Sequence, residues 1–364
     1  MTVAEVGKLL DTLSPLHYAE DFDNVGLLVG RPETKVNGIL VTLDTLEEVV
    51  DEAITKKCNL IVSFHPIVFS GLKKLVGKTY VERVVMKALA NDVAIFAIHT
   101  ALDNSPLGVN AKICEVLGIE HPKILIPKKG TIKKLITYVP KANADNRREA
   151  LFKAGAGNIG NYSDCSFNIE GIGSFNPSEK SNPTIGEKGK AHFEKEIQLN
   201  ITFESAIERE VLNALFKNHP YEEVAYEITT LDNTNQNIGM GMIGTLERPL
   251  KEEDFLQILK ERMGTPMVRH SQLLHKKIER VAVLGGSGAF AITAAKQAKA
   301  DIYVTADVKY HQFFEAENQL VIADIGHFET EQFTKNLLAD FLKEKIPNFA
   351  VTLSESKTNP VKYF

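Results

Sequence analysis

Strand and helix signals alternate through the first part of the chain. Short apolar runs, typical of buried strands, are followed by amphipathic stretches with helical spacing. The alternating segments are GILVTLD (38–44), LEEVVDEAITKK (46–57), NLIVSFHPIVF (59–69), VERVVMKALAND (81–92) and VAIFAIHT (93–100). This alternation predicts a parallel sheet covered by helices on its faces. We therefore predict an α/β fold whose sheet is mostly parallel.

The residue pattern changes between 129 and 234. The signals there run strand, helix, strand, strand, helix, strand, and a stretch rich in Gly, Asn, Ser and Pro follows the first helix. The clearest segments are KKLITYVP (133–140), ADNRREALFKAG (144–155), EKEIQLNITF (194–203), AIEREVLNALFKN (206–218) and EEVAYEITTL (222–231). This β-α-β-β-α-β order is that of a ferredoxin-like α+β domain. We predict such a domain at 129–234, inserted into the first one.

The α/β pattern returns after residue 234. The predicted elements are a helix at 251–264, strands at 280–286, 301–307 and 320–326, and a long final helix at 327–346. Two α/β halves that flank an insert predict one discontinuous core domain. We assign residues 1–128 and 235–364 to that core.

The composition excludes several classes of protein. With 44% hydrophobic and 24% charged residues, the chain resembles an ordinary globular protein. Its net charge of −5 argues against a dedicated nucleic-acid binder. We find no secretion signal and no apolar run long enough for a membrane span, so we expect a cytoplasmic location. Cys58, Cys114 and Cys165 are too widely spaced for a disulfide framework or a CxxC pair. Any metal site must therefore use histidines and carboxylates.

Several predicted strands end in residues that could bind a metal ion. His65 follows one strand, His99 and Asp103 follow the next, and Asp307 and His327 end two strands of the second half. Ligands of parallel α/β proteins bind outside the carboxyl ends of the strands. Convergence of these residues at one edge therefore indicates a metal site.

Each candidate ligand also has a simpler explanation. His327 and Glu331 are four residues apart on one predicted helix face, which suits a metal ion or equally a helix N-terminus. His65 lies in an apolar stretch, where it could be a ligand or a hydrogen-bonded core histidine. His99 and Asp103 lie in a segment that also fits a turn.

Two further patterns indicate possible roles in chemistry. Gly285, Gly286, Ser287 and Gly288 follow a strand and precede a helix, so their N–H groups could hold a phosphate. A glycine turn required for close packing explains them equally well. Asp307 and His311, four residues apart, could form an acid/base pair or support the metal ligands.

Short motifs occur in a fixed order along the whole chain. They are FDNVGLLVG (22–30), SFHPIVF (63–69), HTALDNSPLGVN (99–110), ALFKAGAGNIGNYSDCSF (150–167), GSFNP (173–177), HPYEEVAYEI (219–228), GGSGAF (285–290), TADVKYH (305–311) and DIGHFETE (324–331). In this order they resemble the Nif-three-like proteins. Members of this dinuclear-metal family are called GTP cyclohydrolase 1 type 2 homologues, and the insert is similar to that of the longer bacterial form.

The resemblance implies a toroidal homohexamer with a PII-like and CutA-like insert and two metal ions per subunit. One ion would be bound by His65, Asp103 and a shared Glu331. The other would be bound by the first histidine of a His-His-Pro motif, by His327 and by Glu331. Zinc, iron and manganese suit such ligands. Here the first position of that motif is Phe64, so the chain is expected to hold one or two ions.

Two functions remain open at this stage. The resemblance implies a metal-dependent hydrolase that opens the purine ring of GTP and releases formate. His99 or His311 would then transfer protons, and the glycines at 285–288 would hold phosphate groups. The alternative is a non-catalytic regulatory or scaffold protein whose insert binds an effector or partner, and Phe64 favours it by removing a ligand.

Overall fold

A computed structural model describes residues 1–364, the whole chain. The chain forms two compact units. The first unit comprises Met1–Pro127 and Gln236–Phe364, and the second comprises Lys128–Asn235. None of the helices has the length and apolar character that crossing a membrane requires.

The first half of the first unit contains the predicted alternation of strands and helices. Its elements are α1 (Val3–Leu13), β1 (Gly26–Val29), β2 (Ile39–Thr42), α2 (Glu47–Thr55), β3 (Leu60–Ser63), α3 (Tyr80–Ala90), β4 (Ala94–Ala97), α4 (His99–Asp103), α5 (Val109–Leu117) and β5 (Ile119–Lys128). Every residue of β2, β3 and β4 is buried. Such continuous apolar runs are typical of parallel strands covered on both faces.

The second unit has its elements in the order β-α-β-β-α-β. They are β6 (Ile132–Pro140), α6 (Ala144–Lys153), β7 (Phe167–Phe175), β8 (His192–Glu204), α7 (Glu208–Asn218) and β9 (Tyr226–Thr230). The strands form one sheet in the order β7-β8-β6-β9, and all neighbours are antiparallel. A separate small core lies between this sheet and its two helices, with Leu135, Ile201 and Leu215 among its buried residues.

The rest of the first unit follows the second unit in sequence. Its elements are β10 (Asn235–Lys251), α8 (Glu252–Met263), β11 (Arg269–His270), β12 (Lys277–Ser287), α9 (Ile292–Gln297), β13 (Ile302–Ala306), β14 (Val321–Asp324), α10 (His327–Glu331), α11 (Thr334–Lys345) and β15 (Val351–Leu353). The helix predicted at 327–346 is therefore divided in two after Glu331. His327 and Glu331 still share the short first helix.

The α/β fold is confirmed, but the first unit contains two sheets where the sequence predicts one. One sheet has the order β1-β4-β3-β2-β15, and only β1 is antiparallel to its neighbour. The other has the order β11-β14-β13-β12-β10-β5. Its strands β12, β13 and β14 are parallel to one another. Strand β10 pairs antiparallel with β12, and strand β11 pairs antiparallel with β14.

Alternate residues of the parallel strands contribute to different cores. Val41 and Val62 belong to a cluster that also contains Val283 and Val304 of the second sheet. Leu40 and Ile61, one residue earlier in each strand, pack in a second cluster with residues of α2 and α3. The alternation follows from the two-residue period of a strand. The two sheets of the first unit thus share one apolar core.

Candidate metal centre

Three of the predicted ligands meet beyond the carboxyl ends of two parallel strands. His65 follows β3, while His327 and Glu331 lie in α10, which follows β14 through Gly326. One nitrogen of each histidine and one oxygen of the glutamate lie within 4.8 Å of one another. This group could hold a metal ion. The ordinary position of ligands in parallel α/β folds accounts for its place.

Both imidazoles approach the same oxygen atom. Glu331 Oε2 lies 3.1 Å from His65 Nε2 and 3.2 Å from His327 Nε2. That oxygen is buried and accepts no hydrogen bond of favourable geometry. A buried acceptor without a directed donor costs free energy unless another group satisfies it. Two imidazole nitrogens and a carboxylate oxygen are a donor set that suits zinc, iron or manganese.

Carboxylates hold the opposite ring nitrogens of these two histidines. His65 Nδ1 lies 2.8 Å from Asp44 Oδ1, and His327 Nδ1 lies 2.7 Å from Asp307 Oδ2. Such partners fix the orientation and tautomer of metal-binding histidines and leave Nε2 free for the ion. Asp44 was not among the residues predicted from the sequence, although it lies just beyond the carboxyl end of β2, where the rule for strand ends applies.

Protonation within the cluster reflects its buried ion pairs. Burial alone would raise the pKa of Glu331, but the close polar contacts and charges of His327 and His65 lower it to about 2. Burial would likewise lower the pKa of His65, yet Asp44 and Glu331 raise it to about 10. The pKa of His327 rises to about 9 because Glu331 and Asp307 outweigh burial. A metal ion would therefore displace protons from the imidazoles as it binds.

Asp103 is a half-buried residue whose carboxylate interacts electrostatically with this group. Its Oδ1 is buried and has no hydrogen-bond partner. Burial and then the charge of Glu331 raise its pKa well above the usual value, which the charge of His65 opposes. An unpartnered buried carboxylate oxygen fits a ligand of a cation. The structure brings His65 together with His327, whereas the resemblance assigns the two histidines to different ions.

His99 borders the cluster and has its own carboxylate partner. The centroid of its ring lies 5.3 Å from that of His65. Its Nδ1 lies 2.8 Å from Asp23 Oδ1, and Asp23 also accepts a hydrogen bond of 3.0 Å from the backbone of Thr100. Although burial opposes the effect, these bonds lower the pKa of Asp23 to about 2. Asp23 thereby orients the His99 ring through Nδ1.

Of the two roles considered for Asp307 and His311, the structure favours support of a metal ligand by Asp307 over a pair with His311. The Asp307 carboxylate instead contacts His327 and accepts a hydrogen bond from the hydroxyl of Ser287. His311 is exposed, and its ring contacts are with Tyr310 and Phe314 rather than with the rings of the cluster. Proton transfer by His311 therefore stays a prediction.

Contacts within the protein at the turn 285–288 favour the packing interpretation over the phosphate loop. The N–H of Gly285 donates to Asn110 Oδ1 at 3.0 Å. The N–H of Gly286 donates to Thr330 Oγ1 at 2.9 Å. Two of the predicted phosphate donors are therefore already used inside the protein. The glycines allow this segment to approach the cluster, since a Cβ atom on Gly286 would collide with Glu331.

Phe64 fills the space next to His65 and His99. Its side chain is fully buried in the core between the sheets. The Phe64 ring centroid is 4.8 Å from that of His65 and 5.6 Å from that of His99. A phenyl ring offers no donor atom to a metal ion. The position thus contributes apolar packing to the centre.

A cavity of about 390 Å³ adjoins the cluster. His65, His327 and their carboxylate partners line it together with Arg269 and residues 359–361 and 363 of the carboxyl-terminal segment. The Arg269 guanidinium lies 5.3 Å from the centroid of the Phe313 ring, and its Nη1 lies 3.4 Å from Asp324 Oδ2. Half of its side chain remains exposed, at 51%. The cavity therefore combines a candidate metal centre with one partly exposed guanidinium and the carboxylates of Asp44, Asp307, Asp324 and Glu329.

The fold and this centre define an α/β protein with a candidate metal site. The family Duf34/NIF3 (NGG1p interacting factor 3) matches residues 1–360, and the chain belongs to this family. The resemblance found in the sequence is thereby confirmed.

Similar proteins span the whole chain. A Bacillus subtilis protein named GTP cyclohydrolase 1 type 2 homolog is 36% identical, over 99% of this chain and 98% of that protein. A crystal structure of a Bacillus cereus protein related to NIF3 has a TM-score of 0.83 at 35% identity, and covers 100% of this chain and 99% of that one. The Staphylococcus aureus protein SA1388 has a TM-score of 0.80 at 29% identity, with coverage of 100% and 99%.

Proposed function

We propose that this protein binds a divalent metal ion through His65, His327 and Glu331, with Asp103 as a further ligand, and uses it to hydrolyse a nucleotide. One observation carries the proposal. Two imidazole nitrogens lie 3.1 and 3.2 Å from a buried carboxylate oxygen that lacks a directed hydrogen bond. The unpartnered oxygen of Asp103 adds a fourth donor. Zinc, iron and manganese are the ions that suit these groups.

The surrounding residues have distinct tasks in this proposal. When bound, a divalent ion supplies Lewis-acid chemistry, which polarises a substrate oxygen and lowers the pKa of a coordinated water. Asp44 and Asp307 orient the two imidazoles. His99, held by Asp23, accepts or donates a proton at Nε2. Arg269 lines the adjoining cavity and attracts a phosphate group.

Metal content tests the binding part of the proposal. We expect wild-type protein to bind zinc or manganese, and Glu331→Gln to lose this binding. Glu329→Gln is the matched control, because Glu329 is also buried in α10 but hydrogen-bonds Asn359 instead of the histidines. Equal metal content in wild type and Glu331→Gln would contradict the ligand assignment.

The name of the Bacillus subtilis relative guides the choice of substrate. Because that protein is called a GTP cyclohydrolase 1 type 2 homolog, GTP is the first nucleotide to test. The assay follows formate release and the ultraviolet absorbance of the purine ring in metal-loaded protein. We expect turnover that Glu331→Gln abolishes and that His99→Asn slows.

A second function is favoured by Phe64. The fully buried phenyl ring occupies the place where the family resemblance requires a metal-binding histidine. A centre with fewer ligands suits a regulatory or scaffold role, in which the inserted unit binds an effector or partner. Metal binding without turnover of GTP or other nucleotides would support this function over hydrolysis.

The remaining features of the family resemblance are also proposals. We propose a toroidal homohexamer in the cytoplasm and a second unit of the PII and CutA type. The β-α-β-β-α-β order and antiparallel sheet of that unit support the latter. The net charge of −5 argues against nucleic acid as a partner. Sedimentation equilibrium tests the hexamer, since a monomeric mass would contradict it.

A further inference from the structure

The second unit contains a cavity of its own, about 570 Å³ in volume. It is formed by the end of β6, the end of β7 and the loop after it, the first part of β8 and the segment before β9. Its lining residues are Tyr138, Gly173, Ser174, Phe175, Asn176, Pro177, Ser178, Ser181, Pro183, Thr184, Ile185, Glu196, Tyr221, Glu222, Glu223 and Ala225. A cavity of this volume can accommodate a small organic molecule.

Negative charge and aromatic rings dominate this lining. Glu196, Glu222 and Glu223 are its only charged residues, and no Lys, Arg or His is present. The rings of Phe175 and Tyr221 lie beside each other, with centroids 5.9 Å apart. Carboxylates combined with the faces of aromatic rings are the groups that bind organic cations in proteins.

Glu196 is a buried carboxylate without a cationic partner. Only 9% of its surface is exposed. Its Oε1 accepts a hydrogen bond of 2.8 Å from the Tyr221 hydroxyl, and no basic side chain forms an ion pair with it. Its Oε2 lies against the backbone of Gly173, where any Cβ atom would collide with it. Burial of an unpaired charge is costly unless a counter-charge arrives.

The tyrosine that holds this carboxylate is itself fixed. The backbone N–H of Tyr221 donates to His219 Nδ1 at 3.2 Å, and His219 Nε2 lies 3.0 Å from the carbonyl oxygen of Tyr138. Burial, followed by the hydrogen bond to Glu196, raises the pKa of Tyr221, so its hydroxyl keeps its proton and acts as a donor. Glu196 is therefore held in one orientation before any ligand binds.

From these contacts we infer that the second unit binds a small organic cation, a primary amine or quaternary ammonium compound, with Glu196 as its counter-charge. The ammonium group is paired with Glu196 and contacts the rings of Phe175 and Tyr221. Glu222 and Glu223 add long-range attraction at the rim. This site lies wholly within residues 138–225 and is independent of the proposed metal centre.

Calorimetric titration of the full-length protein tests the inference. The probes are putrescine, agmatine and tetramethylammonium, and 1,4-butanediol is the uncharged counterpart of putrescine. We expect at least one cation to bind once per chain and butanediol not to bind. Glu196→Gln should weaken that binding by about tenfold or more, because a charge-assisted contact is lost.

Two further variants make the result specific. Glu170→Gln removes the same charge from an exposed position on β7 that pairs with Lys141, and it should change the affinity by less than about twofold. If Glu196→Gln fails to fold, Phe175→Leu removes an aromatic wall instead and should weaken tetramethylammonium binding. No binding of any probe to wild type, or equal binding by the cavity variants, would overturn the inference. Metal content should be the same in all of these variants, so failure here is distinct from failure of the proposed function.

Discussion

Gly286 offers the sharpest test of how the fold shapes the candidate metal centre. Its backbone has a φ of +68°, and its N–H is held by Thr330. A Cβ atom at this position would lie closer than 3.0 Å to Glu331 Oε1 and 3.3 Å from His327 Cε1. Since real Cβ atoms do not approach other atoms closer than about 3.0 Å, Gly286→Ala must displace the Glu331 carboxylate.

The cost of this substitution has two parts. Left-handed backbone costs an alanine about 1–2 kcal/mol relative to glycine. Overpacking against Glu331 adds roughly 1–3 kcal/mol. Gly77→Ala isolates the first part, because Gly77 has a φ of +75° and its added Cβ would meet no atom nearer than 3.8 Å. We therefore expect Gly286→Ala to lose about 2–5 kcal/mol of stability and Gly77→Ala about 1–2 kcal/mol.

A measurement of metal affinity distinguishes displacement of the Glu331 carboxylate from a general loss of stability. Changes to groups that orient metal ligands typically weaken binding about 10–100-fold, and we expect at least this loss in Gly286→Ala. Gly77→Ala should bind as wild type does. The assays are zinc competition against a chromophoric chelator and urea unfolding in the presence of a chelator. Wild-type affinity in Gly286→Ala, or an equal loss in Gly77→Ala, would refute the reasoning.

Three further predictions address ligand number, metal linkage and pH. Phe64→His should raise the metal content from about one to two ions per chain. The metal-free form of this variant should lose roughly 1–3 kcal/mol of folding stability, because its buried imidazole has no partner. Unchanged metal content by elemental analysis would count against this prediction. Chelation should lower the melting temperature of wild type but not of Glu331→Gln, because only a bound ion stabilises the folded state by mass action. The third prediction concerns Glu52. Burial would raise the pKa of its carboxyl group, but hydrogen bonds from Lys56, Ser354 and Ser356 lower that pKa from 4.5 to about 2. Stability from Glu52 is therefore present above about pH 4.5 and is lost as the pH falls toward 2, and acid unfolding of Glu52→Gln should lack this contribution.

The sequence located the centre because a general rule of parallel sheets applies to it. His65 and His327 follow strands of different sheets, but each lies beyond a carboxyl end, where ligands of α/β folds bind. An acid/base pair of Asp307 with His311 assumes α-helical spacing. Residues Tyr310–Ala316 form a 3-10 helix, and Asp307 precedes it with a φ of +55°. Side chains four apart do not face each other in that geometry.

Glycines within one long strand also prevented its prediction from the sequence. The strand β10 spans Asn235–Lys251 but contains Gly239, Gly241 and Gly244, which argue against a strand in a single sequence. In the structure, a Cβ atom at Gly239 would collide with the carbonyl oxygen of Ile126, so close approach of the neighbouring segment requires glycine there. That contact lies more than a hundred residues away in sequence, and local patterns carry no signal for it.

We expect donor atoms, rather than charge, to set the number of ions that the candidate centre binds. Glu331 and the Oδ1 atom of Asp103 are buried, and Asp44 and Asp307 hold the two imidazoles. These four carboxylates carry enough negative charge to balance two divalent ions. The available donors are fewer, because Asp44 and Asp307 are occupied by the histidines, and Phe64 presents a phenyl ring. Loss of Asp44 or Asp307 should therefore weaken binding without a change in stoichiometry, whereas we expect a change at position 64 to alter how many ions bind.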